Sequence, residues 1–299
     1  MSGFAAMLYD VSHRTKYRYS IPVSFSHHVL HLVPRASARQ TTRRTALSVT
    51  PTPTIHASAT DAFGNPQTFI TLQERHTELT LHAKSVIEVS APSRPEPAAT
   101  RPWDGLYEML SRDRSDAGLD ALQYAFPSPR VPAALDLEAY ARASFAPGRP
   151  LLEAALDLTA RIFTEFVYDP TATTVSTPVD EVFAKKRGVC QDFAHLEIAC
   201  LRSLRLPARY VSGYLLTRPP EGRERLVGAD ASHAWLSLWV PEHGWVDLDP
   251  TNNLLVGEEH ITLGWGRDYG DVSLVKGAIF GGGAHKIEVA VDVTPLPGG

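Results

Sequence analysis

The sequence has little cysteine, no long hydrophobic run and no strong excess of charge of either sign. Its 299 residues include 2 cysteines, and 29 basic against 33 acidic side chains give a formal net charge of -4. A charge so close to balance argues against nucleic acid or an anionic membrane as the main partner. No stretch approaches the roughly 18 apolar residues that cross a bilayer, and the first residues lack the apolar segment of a secretion signal. We therefore expect neither a nucleic-acid-binding protein nor a membrane protein.

The two cysteines, Cys190 and Cys200, lie in one segment whose apolar residues have helical spacing. At about 1.5 Å of rise per residue they would be roughly 15 Å apart, which is too far for a disulfide. Both thiols are therefore expected to be free. Because free thiols are typical of reducing compartments, we expect a cytoplasmic protein.

The pattern of the chain changes twice. Residues 1–92 contain several short segments with alternating or β-branched residues, separated by turn signals such as DAFGNP, which predicts an antiparallel β-sandwich. Residues 93–133 begin with a proline-rich stretch and are predicted to be a linker region. Residues 134–299 show helical patterns first and strands afterwards, the last strand covering 286–293. The fold class is therefore α+β, with the sandwich followed by a core of helices packed on an antiparallel sheet.

Cys190 follows Gly188 and Val189 at the predicted start of a helix that runs to about Leu204. Glycine lets the backbone turn sharply or approach a substrate closely. The positive end of the helix dipole favours a thiolate at Cys190, and the unpaired N–H groups of the first turn can hold an oxyanion. These features are those of a nucleophile, whereas Cys200 occupies a mid-helix position typical of the hydrophobic core.

A thiolate nucleophile needs an imidazole base and a group that orients this base. His195 is a poor partner, because five residues along a helix turn it about 140° away from Cys190. His233 opens a predicted strand, and Asp249 closes the next strand after the turn PEHG. An odd number of loop residues places His233 and Asp249 on one face, and a three-residue loop would set them directly opposite. Asp247 shares that face, so it could take the place of Asp249.

Four long segments resemble the transglutaminase-like superfamily: TPVDEVFAKKRGVCQDFAHL, LPARYVSGYL, ASHAWLSLWVPEHGWVDLDPTNN and GRDYGDVSLVKG. The opening YDVSHRTKYRYSIPVS and the DAFGN turn resemble the N-terminal domain of bacterial members, which are often described as candidate cysteine proteases. The resemblance implies a papain-like core in which Cys190 is the nucleophile, His233 the base and Asp249 the orienting acid. It covers nearly the whole chain.

Three further residues are candidates for the oxyanion or substrate site: Tyr168, Gln191 and Trp235. The resemblance implies an aromatic residue near Tyr168 that donates to the oxyanion or borders the site, although a tyrosine of the core or rim fits equally well. Trp235 belongs to a group of tryptophans around the predicted hairpin, where packing is the simpler explanation and a substrate groove the alternative. The residues 267–269 are expected to form an ion-paired brace between the two domains.

We expect no cofactor and no metal. His27 and His31 face one side of a predicted strand and His28 the other, and no carboxylate or thiol ligand lies nearby in the sequence. The motifs of zinc peptidases, EF-hands and phosphate-binding loops do not occur. A metal-dependent amidase is therefore disfavoured.

The sequence thus predicts a thiol-dependent enzyme that acts on amide bonds of peptides or proteins. The thioester intermediate can pass to water, as in a peptidase or amidase, or to an amine, as in a transglutaminase. Hydrolysis is favoured, because no calcium-loop pattern accompanies the site. A non-catalytic peptide-binding or scaffold protein is the alternative from another class, and the oligomeric state is left open.

Overall fold

A computed structural model of the chain describes residues 6–133, 135–217 and 232–297, which form fourteen strands and six α-helices. The strands are β1 (Met7–Leu30), β2 (Gln40–Thr50), β3 (Ile55–Thr60), β4 (Pro66–Leu72), β5 (His76–Val89), β6 (Val167–Tyr168), β7 (Arg187–Gly188), β8 (Ala208–Leu215), β9 (Ser232–Val240), β10 (Gly244–Asp249), β11 (Leu254–Leu255), β12 (His260–Gly266), β13 (Val275–Gly281) and β14 (His285–Leu296). The helices are α1 (Leu106–Arg112), α2 (Asp116–Leu122), α3 (Leu135–Arg142), α4 (Leu151–Glu165), α5 (Val179–Lys185) and α6 (Cys190–Ser203).

The long strand β1 runs through both halves of a seven-stranded antiparallel sheet. Its first half pairs with β5 and β14, and its second half pairs with β4 and β13. Leu79 and Leu81 of β5 share one buried cluster with Ile70 and Leu72 of β4. The two halves therefore enclose a common core, and the predicted β-sandwich is confirmed.

The C-terminal strand belongs to this sandwich and not to the second domain. The prediction for 134–299 counted it with the core, but β14 pairs with β1 from Leu8 to Tyr19. β13 pairs with the second half of the same strand. The physical reason is that period-2 alternation specifies a strand and its buried face, whereas the partner strand depends on which sheet edge is free.

The segment 93–133, predicted as a linker region, is instead folded onto the second domain. It contains α1 and α2, together with short 3-10 helices at Pro97–Ala99 and Gln123–Ala125. Leu106, Leu110 and Val131 are buried in the same cluster as α4 and α6. A proline-rich start did not prevent this packing, because apolar residues at helical spacing follow it.

The second domain packs helices on one face of a five-stranded antiparallel sheet with the order β11-β10-β9-β8-β12. α6 lies against β9, whose residues Ala234, Leu236 and Leu238 face the helices and share their core. The alternate residues of β9 face the other side, where Trp235 packs with Val211 of β8. The α+β class is thus confirmed. None of the helices in the described ranges is long and apolar enough to cross a membrane.

The β9–β10 hairpin has a loop of three residues, an odd number as His233 and Asp249 on one face require, because Val240 pairs with Gly244. Asp247 pairs with Ser237 in the same register. Asp249 is therefore level with Trp235, two residues along β9 from His233. The two triad candidates share a face but are diagonal neighbours, and the prediction that they are directly opposite was wrong. For His233 and Asp249 to be directly opposite, the loop would have to be centred on Pro241. The observed loop, residues 241–243, is centred on Glu242.

Two amide side chains of the sandwich join it to the free edge of β12. Gln40 donates from Nε2 to the Thr262 carbonyl at 2.7 Å and accepts the Thr262 N–H at 2.8 Å. Asn65 donates from Nδ2 to the Trp265 carbonyl at 2.8 Å and accepts the Trp265 N–H at 3.0 Å. The edge strand is thus hydrogen-bonded as if another strand lay beside it.

The residues 267–269 do not form the predicted brace between domains. Arg267 pairs with Asp271, with Nη2 to Oδ1 at 2.9 Å, within the same loop. Asp268 accepts the backbone N–H of Arg130 at 3.0 Å. These contacts hold the loop to the second domain itself, whereas Gln40 and Asn65 are among the side chains that join the two domains.

Candidate active site

Cys190 is the first residue of α6 and is partly exposed. Asp192, in the first turn, accepts the Val189 N–H at 2.8 Å and the Thr173 hydroxyl at 2.6 Å. A carboxylate that caps the N-terminus in this way fixes the first turn and leaves other N–H groups of that turn without intrahelical partners. The thiol is therefore held at the positive end of the helix dipole, as expected for a nucleophile.

Gly188 lets Asp192 come close to the chain just before the nucleophile. A Cβ atom at position 188 would lie 2.7 Å from the Asp192 Oδ2 atom. Gly188 also pairs with Tyr168 in the short parallel sheet formed by β6 and β7. This pairing places Tyr168 beside the segment that leads to Cys190.

His233 lies between Cys190 and Asp249. Its Nε2 atom lies 2.8 Å from Oδ2 of Asp249. Because Nε2 is used by Asp249, Nδ1 is the ring nitrogen left for the thiol. Burial lowers the pKa of His233, but the nearby side chains of Asp249 and Cys190 outweigh burial and raise the pKa above its usual range. The imidazolium form is thereby stabilised next to the sulfur.

Asp249 is fully buried and accepts several hydrogen bonds besides that of His233. His260 Nε2 and Asn252 Nδ2 lie 3.1 and 2.7 Å from Oδ2, and the N–H groups of Thr251 and Asn252 bind Oδ1 at 2.9 and 3.2 Å. Burial favours the neutral acid, yet these donors together lower the pKa of Asp249 well below its usual range. A carboxylate with so many donors stays ionised and orients the imidazole.

Asp247 has other partners. Its Oδ1 accepts a hydrogen bond from the Ser237 hydroxyl, and its Oδ2 lies 3.3 Å from Trp235 Nε1. The structure therefore brings together Cys190, His233 and Asp249, and leaves Asp247 outside the group.

The other predicted site residues differ in placement. Tyr168 is 55% exposed, and burial raises its pKa, with a further contribution from the adjacent Cys190. Its hydroxyl is thus available at the rim of the site. The Gln191 side chain donates to the Val175 carbonyl at 3.2 Å, and its backbone N–H belongs to the first turn of α6. Trp235 is fully buried, and the alternative that it lines a substrate groove is wrong.

Two further residues of α6, Cys200 and His195, are structural, as the sequence indicates. Cys200 is fully buried, and burial raises the pKa of its thiol. His195 accepts the Tyr269 N–H at 3.1 Å and packs on Tyr210. Burial lowers the pKa of His195 to about 3, so this ring is neutral and serves packing.

Comparison with known proteins identifies the family. The family model for the bacterial transglutaminase-like N-terminal region matches residues 9–88, and that for the transglutaminase-like superfamily matches residues 138–250. An uncharacterised protein of Mycobacterium tuberculosis is 41% identical over 303 residues, which cover 97% of this chain and 93% of the relative. The chain belongs to the transglutaminase-like superfamily.

Other similarities of this transglutaminase-like protein differ in extent. An uncharacterised Mycobacterium leprae protein is 35% identical over 290 residues, covering 96% of this chain and 98% of the relative. A Pseudomonas aeruginosa protein-glutamine gamma-glutamyltransferase is 34% identical over 102 residues, which are 31% of this chain and 15% of that enzyme. A Cytophaga hutchinsonii structure described as a candidate cysteine protease has the same fold, with a TM-score of 0.77, 20% identity and coverage of 98% and 91%.

Asn252 and His260 are part of the site but were not found from the sequence. Asn252 lies in the segment DPTNN, three residues after Asp249. This spacing is typical of a turn in which the later side chain binds the carboxylate, so the sequence does contain a signal for Asn252. His260 lies on β12, at the far edge of the sheet, and no local pattern links it to Asp249.

In the part of the chain that the structure describes, His233, Asp249 and His260 are also the candidate ligands for a metal ion. Ligand atoms of His233, Asp249 and His260 lie within 4.8 Å of one another. The hydrogen bonds of both rings to Oδ2 explain this proximity. The donor set is chemically able to bind a divalent ion such as zinc, but the same Nε2 atoms are needed to orient the triad.

Proposed function

We propose that this transglutaminase-like protein is a thiol enzyme that cleaves amide bonds of peptides or proteins through a thioester on Cys190. The observation that carries the proposal is the His233 ring, which is hydrogen-bonded to Asp249 and lies close enough to the Cys190 thiol at the start of α6 for the thiol to raise its pKa. Membership of a superfamily built on cysteine-dependent chemistry supports it. Cys190 is the nucleophile, His233 the acid and base, and Asp249 the group that holds the imidazole.

The proposed reaction has two steps. The Cys190 thiolate attacks the amide carbonyl carbon, and the oxyanion is bound by backbone N–H groups of the first turn of α6, with the Tyr168 hydroxyl at the rim. The C–N bond breaks as the His233 imidazolium gives its proton to the leaving amine. Water then attacks the thioester while His233 removes a proton, and the carboxylic acid and the free thiol are released.

Acyl transfer is a second candidate function. In that case a primary amine takes the place of water in the second step, and an amide is formed instead of an acid. The similarity of 102 residues to a protein-glutamine gamma-glutamyltransferase favours it. The triad serves both outcomes, because both share the thioester.

The first experiment measures alkylation of the thiols by iodoacetamide as a function of pH, read by mass spectrometry. We expect Cys190 to be alkylated readily at neutral pH, and buried Cys200 to remain unlabelled as an internal control. In His233→Ala the reactivity of Cys190 should move towards that of a free thiol. A wild-type Cys190 that reacts no faster than it does in His233→Ala would favour the non-catalytic peptide-binding or scaffold protein.

The second experiment separates hydrolysis from transfer. A glutamine-containing peptide mixture is incubated with the protein, with and without a primary amine, and the products are identified by mass spectrometry. New carboxyl termini or deamidated glutamine indicate hydrolysis, and amine adducts indicate transfer. Cys190→Ala is the control for both and should give neither product.

A cytoplasmic location is part of the proposal. Cys190 and Cys200 are both free and lie on one helix, so neither is held in a disulfide that requires an oxidising compartment. Cell fractionation with an antibody against the chain tests this point. Recovery of the protein outside the cytoplasmic fraction would contradict it.

A further inference from the structure

A cavity of about 360 Å³ lies between the sandwich and the second domain. Its walls come from the segments around Arg39 and Arg94 and from the outer face of the five-stranded sheet, including Arg209, Asp247 and Trp265. The volume is in the usual range for small-molecule sites, about 300–1,000 Å³. α6 packs on the opposite face of the sheet, and Cys190, His233 and Asp249 do not line the cavity.

The charged lining of this cavity is mainly basic. Three arginines, Arg39, Arg94 and Arg209, contribute guanidinium groups, while Asp247 is the acidic side chain among the described lining residues. Both carboxylate oxygens of Asp247 are already engaged by Ser237 and Trp235. The described lining therefore has more positive charge than its own carboxylate balances.

Arg209 is the most unusual of the three, because it is a buried cation whose Nε donor has no hydrogen-bond partner within the described ranges. It is 6% exposed, and its guanidinium carbon lies 4.1 and 3.8 Å from the ring centroids of Trp245 and Trp265. Its Nε atom is buried and has no partner within the described ranges. A buried guanidinium normally has a carboxylate or several carbonyls as acceptors, since an unpaired one costs several kcal/mol.

The neighbours of Arg209 do not provide that acceptor. The Arg39 guanidinium is itself a donor, and it binds the carbonyls of Gly257 and His260 at 3.3 and 3.1 Å. Asp247 acts on Arg209 through space, and burial lowers the pKa of Arg209 to about 10 in spite of it. The Nε donor of Arg209 is thus without an acceptor among the described residues, in a guanidinium that lines the cavity.

We infer that this cavity is a binding site for a small organic anion that carries a carboxylate or phosphate group. Arginine presents a planar fork of donors that matches the oxygens of both groups. Arg209 would bind the anionic group at the base of the cavity, and the exposed Arg94 would approach it from the entrance. The side chains of Trp245, Val211 and Val256 supply an apolar wall for the rest of the ligand.

The experiment is a fluorescence titration with sodium phosphate and with sodium citrate, in which sodium chloride keeps the ionic strength constant. Trp245 and Trp265 line the cavity, so we expect a saturable change in tryptophan emission that chloride does not cause. Binding should also raise the midpoint of thermal unfolding, because an anion held by the folded state stabilises it. No saturable change with either anion would overturn the inference.

Matched variants locate the site. Arg94 is exposed, so Arg94→Ala should fold normally and bind about tenfold more weakly, which corresponds to about 1.4 kcal/mol. Arg75 is an exposed arginine between β4 and β5, away from the cavity lining, and Arg75→Ala should bind like the wild type. Cys190→Ala should also bind normally, since the site is separate from the triad. Equal binding by Arg94→Ala and the wild type would contradict the assignment.

Discussion

Asp247 and Asp249 are two residues apart on β10 and face the same side of the sheet, but only Asp249 touches His233. The difference arises from the register of the hairpin, which sets Asp247 beside Ser237 and allows Asp249 to reach diagonally to His233. Three side-chain donors converge on Oδ2 of Asp249 and two backbone donors on Oδ1. An amide at position 249 would place its NH₂ group against at least two donors, whichever way it is turned.

We therefore predict that Asp249→Asn lowers kcat/KM on order of 10²-fold or more, the usual contribution of acid–base catalysis. Asp247→Asn is the matched control, because each oxygen of Asp247 has a single side-chain donor and the amide oxygen can still accept one of them. Asp247→Asn should lower kcat/KM by less than about tenfold. Steady-state kinetics on a peptide substrate makes the comparison. An equal loss in both variants would assign the orienting role to Asp247 as well.

Glu197 is a fully buried acid seven residues after Cys190, and therefore on the same face of α6. Its Oε1 lies 2.7 Å from the Thr159 hydroxyl, which also donates to the Ala155 carbonyl at 2.9 Å. Since a hydroxyl has one proton, both contacts are satisfied together when Glu197 is protonated and donates. Burial raises the pKa of Glu197 to about 8. The negative charge of Asp249 also raises this pKa, whereas the hydrogen bond with Thr159 lowers it.

This proton makes stability depend on pH. The folded state keeps the proton of Glu197 up to about pH 8, whereas the unfolded chain releases it near the ordinary value of 4.5. The stabilisation that this proton provides is therefore complete below the unfolded-state pKa of 4.5 and is lost as the pH rises towards the folded-state pKa of about 8. Glu197→Gln does not ionise, so its free energy of unfolding should exceed that of the wild type increasingly across this window. The gain is on the order of a few kcal/mol.

Urea unfolding at a series of pH values measures this difference. Glu108→Gln, an exposed acid on α1, is the control and should differ from the wild type by the same amount at every pH. A pH-independent difference between Glu197→Gln and the wild type would show that Glu197 is ionised in the folded protein.

The sequence was most informative about residues whose chemistry depends on local context. Cys190 and His233 were predicted because a helix start and a strand start are readable from neighbouring residues, and the structure brings both side chains together with Asp249. His260 and Asn252 were missed. Their role depends on where β12 and the turn after β10 approach one buried carboxylate, which only the folded chain determines.

At the scale of elements, the start of α6 depends on the absence of a side chain at position 188. Asp192 binds the Val189 N–H and the Thr173 hydroxyl only because its carboxylate can lie against Gly188. Gly188→Ala would force Asp192 away and leave the Val189 N–H without its partner. We expect a loss of about 1–3 kcal/mol in the free energy of unfolding and slower alkylation of Cys190.

Gly257→Ala is the control for this prediction. A Cβ atom there would lie 3.6 Å from its nearest neighbour on Arg94, which is an ordinary contact. Both variants are compared by urea unfolding and by the rate of iodoacetamide labelling. Unchanged labelling in Gly188→Ala would mean that the Asp192 cap does not position the nucleophile.

Elements were predicted better than their partners. The helix that begins at Cys190 and a hairpin loop with an odd number of residues follow from periodicity and turn signals, and both were confirmed. The partner of the last strand and the packing of 93–133 were wrong. Both errors concern contacts between residues far apart in the chain, and hydrophobic spacing alone does not specify such contacts.

At the scale of the whole molecule, the sandwich protects an exposed edge of the second domain. β12 is the last strand of its sheet, and Gln40 and Asn65 satisfy the backbone groups of Thr262 and Trp265 that would otherwise be unpaired. Both amides are almost fully buried, at 2% and 0% exposed. The missing side chain of Gly264 allows this approach, because a Cβ atom there would lie 2.7 Å from Asn65 Oδ1. Free sheet edges invite pairing with other chains.

We predict that Gln40→Ala and Asn65→Ala each lower the free energy of unfolding by about 2–4 kcal/mol, because each leaves a buried N–H and a buried carbonyl without partners. Gln73→Ala, an exposed amide after β4, should have no effect. The joint is shared, so calorimetry should show one transition that moves to lower temperature as a unit. Two separated transitions, with only one shifted, would mean that the sandwich and the second domain unfold independently. In that case Gln40 and Asn65 would protect the edge of β12 without coupling the stability of the two domains.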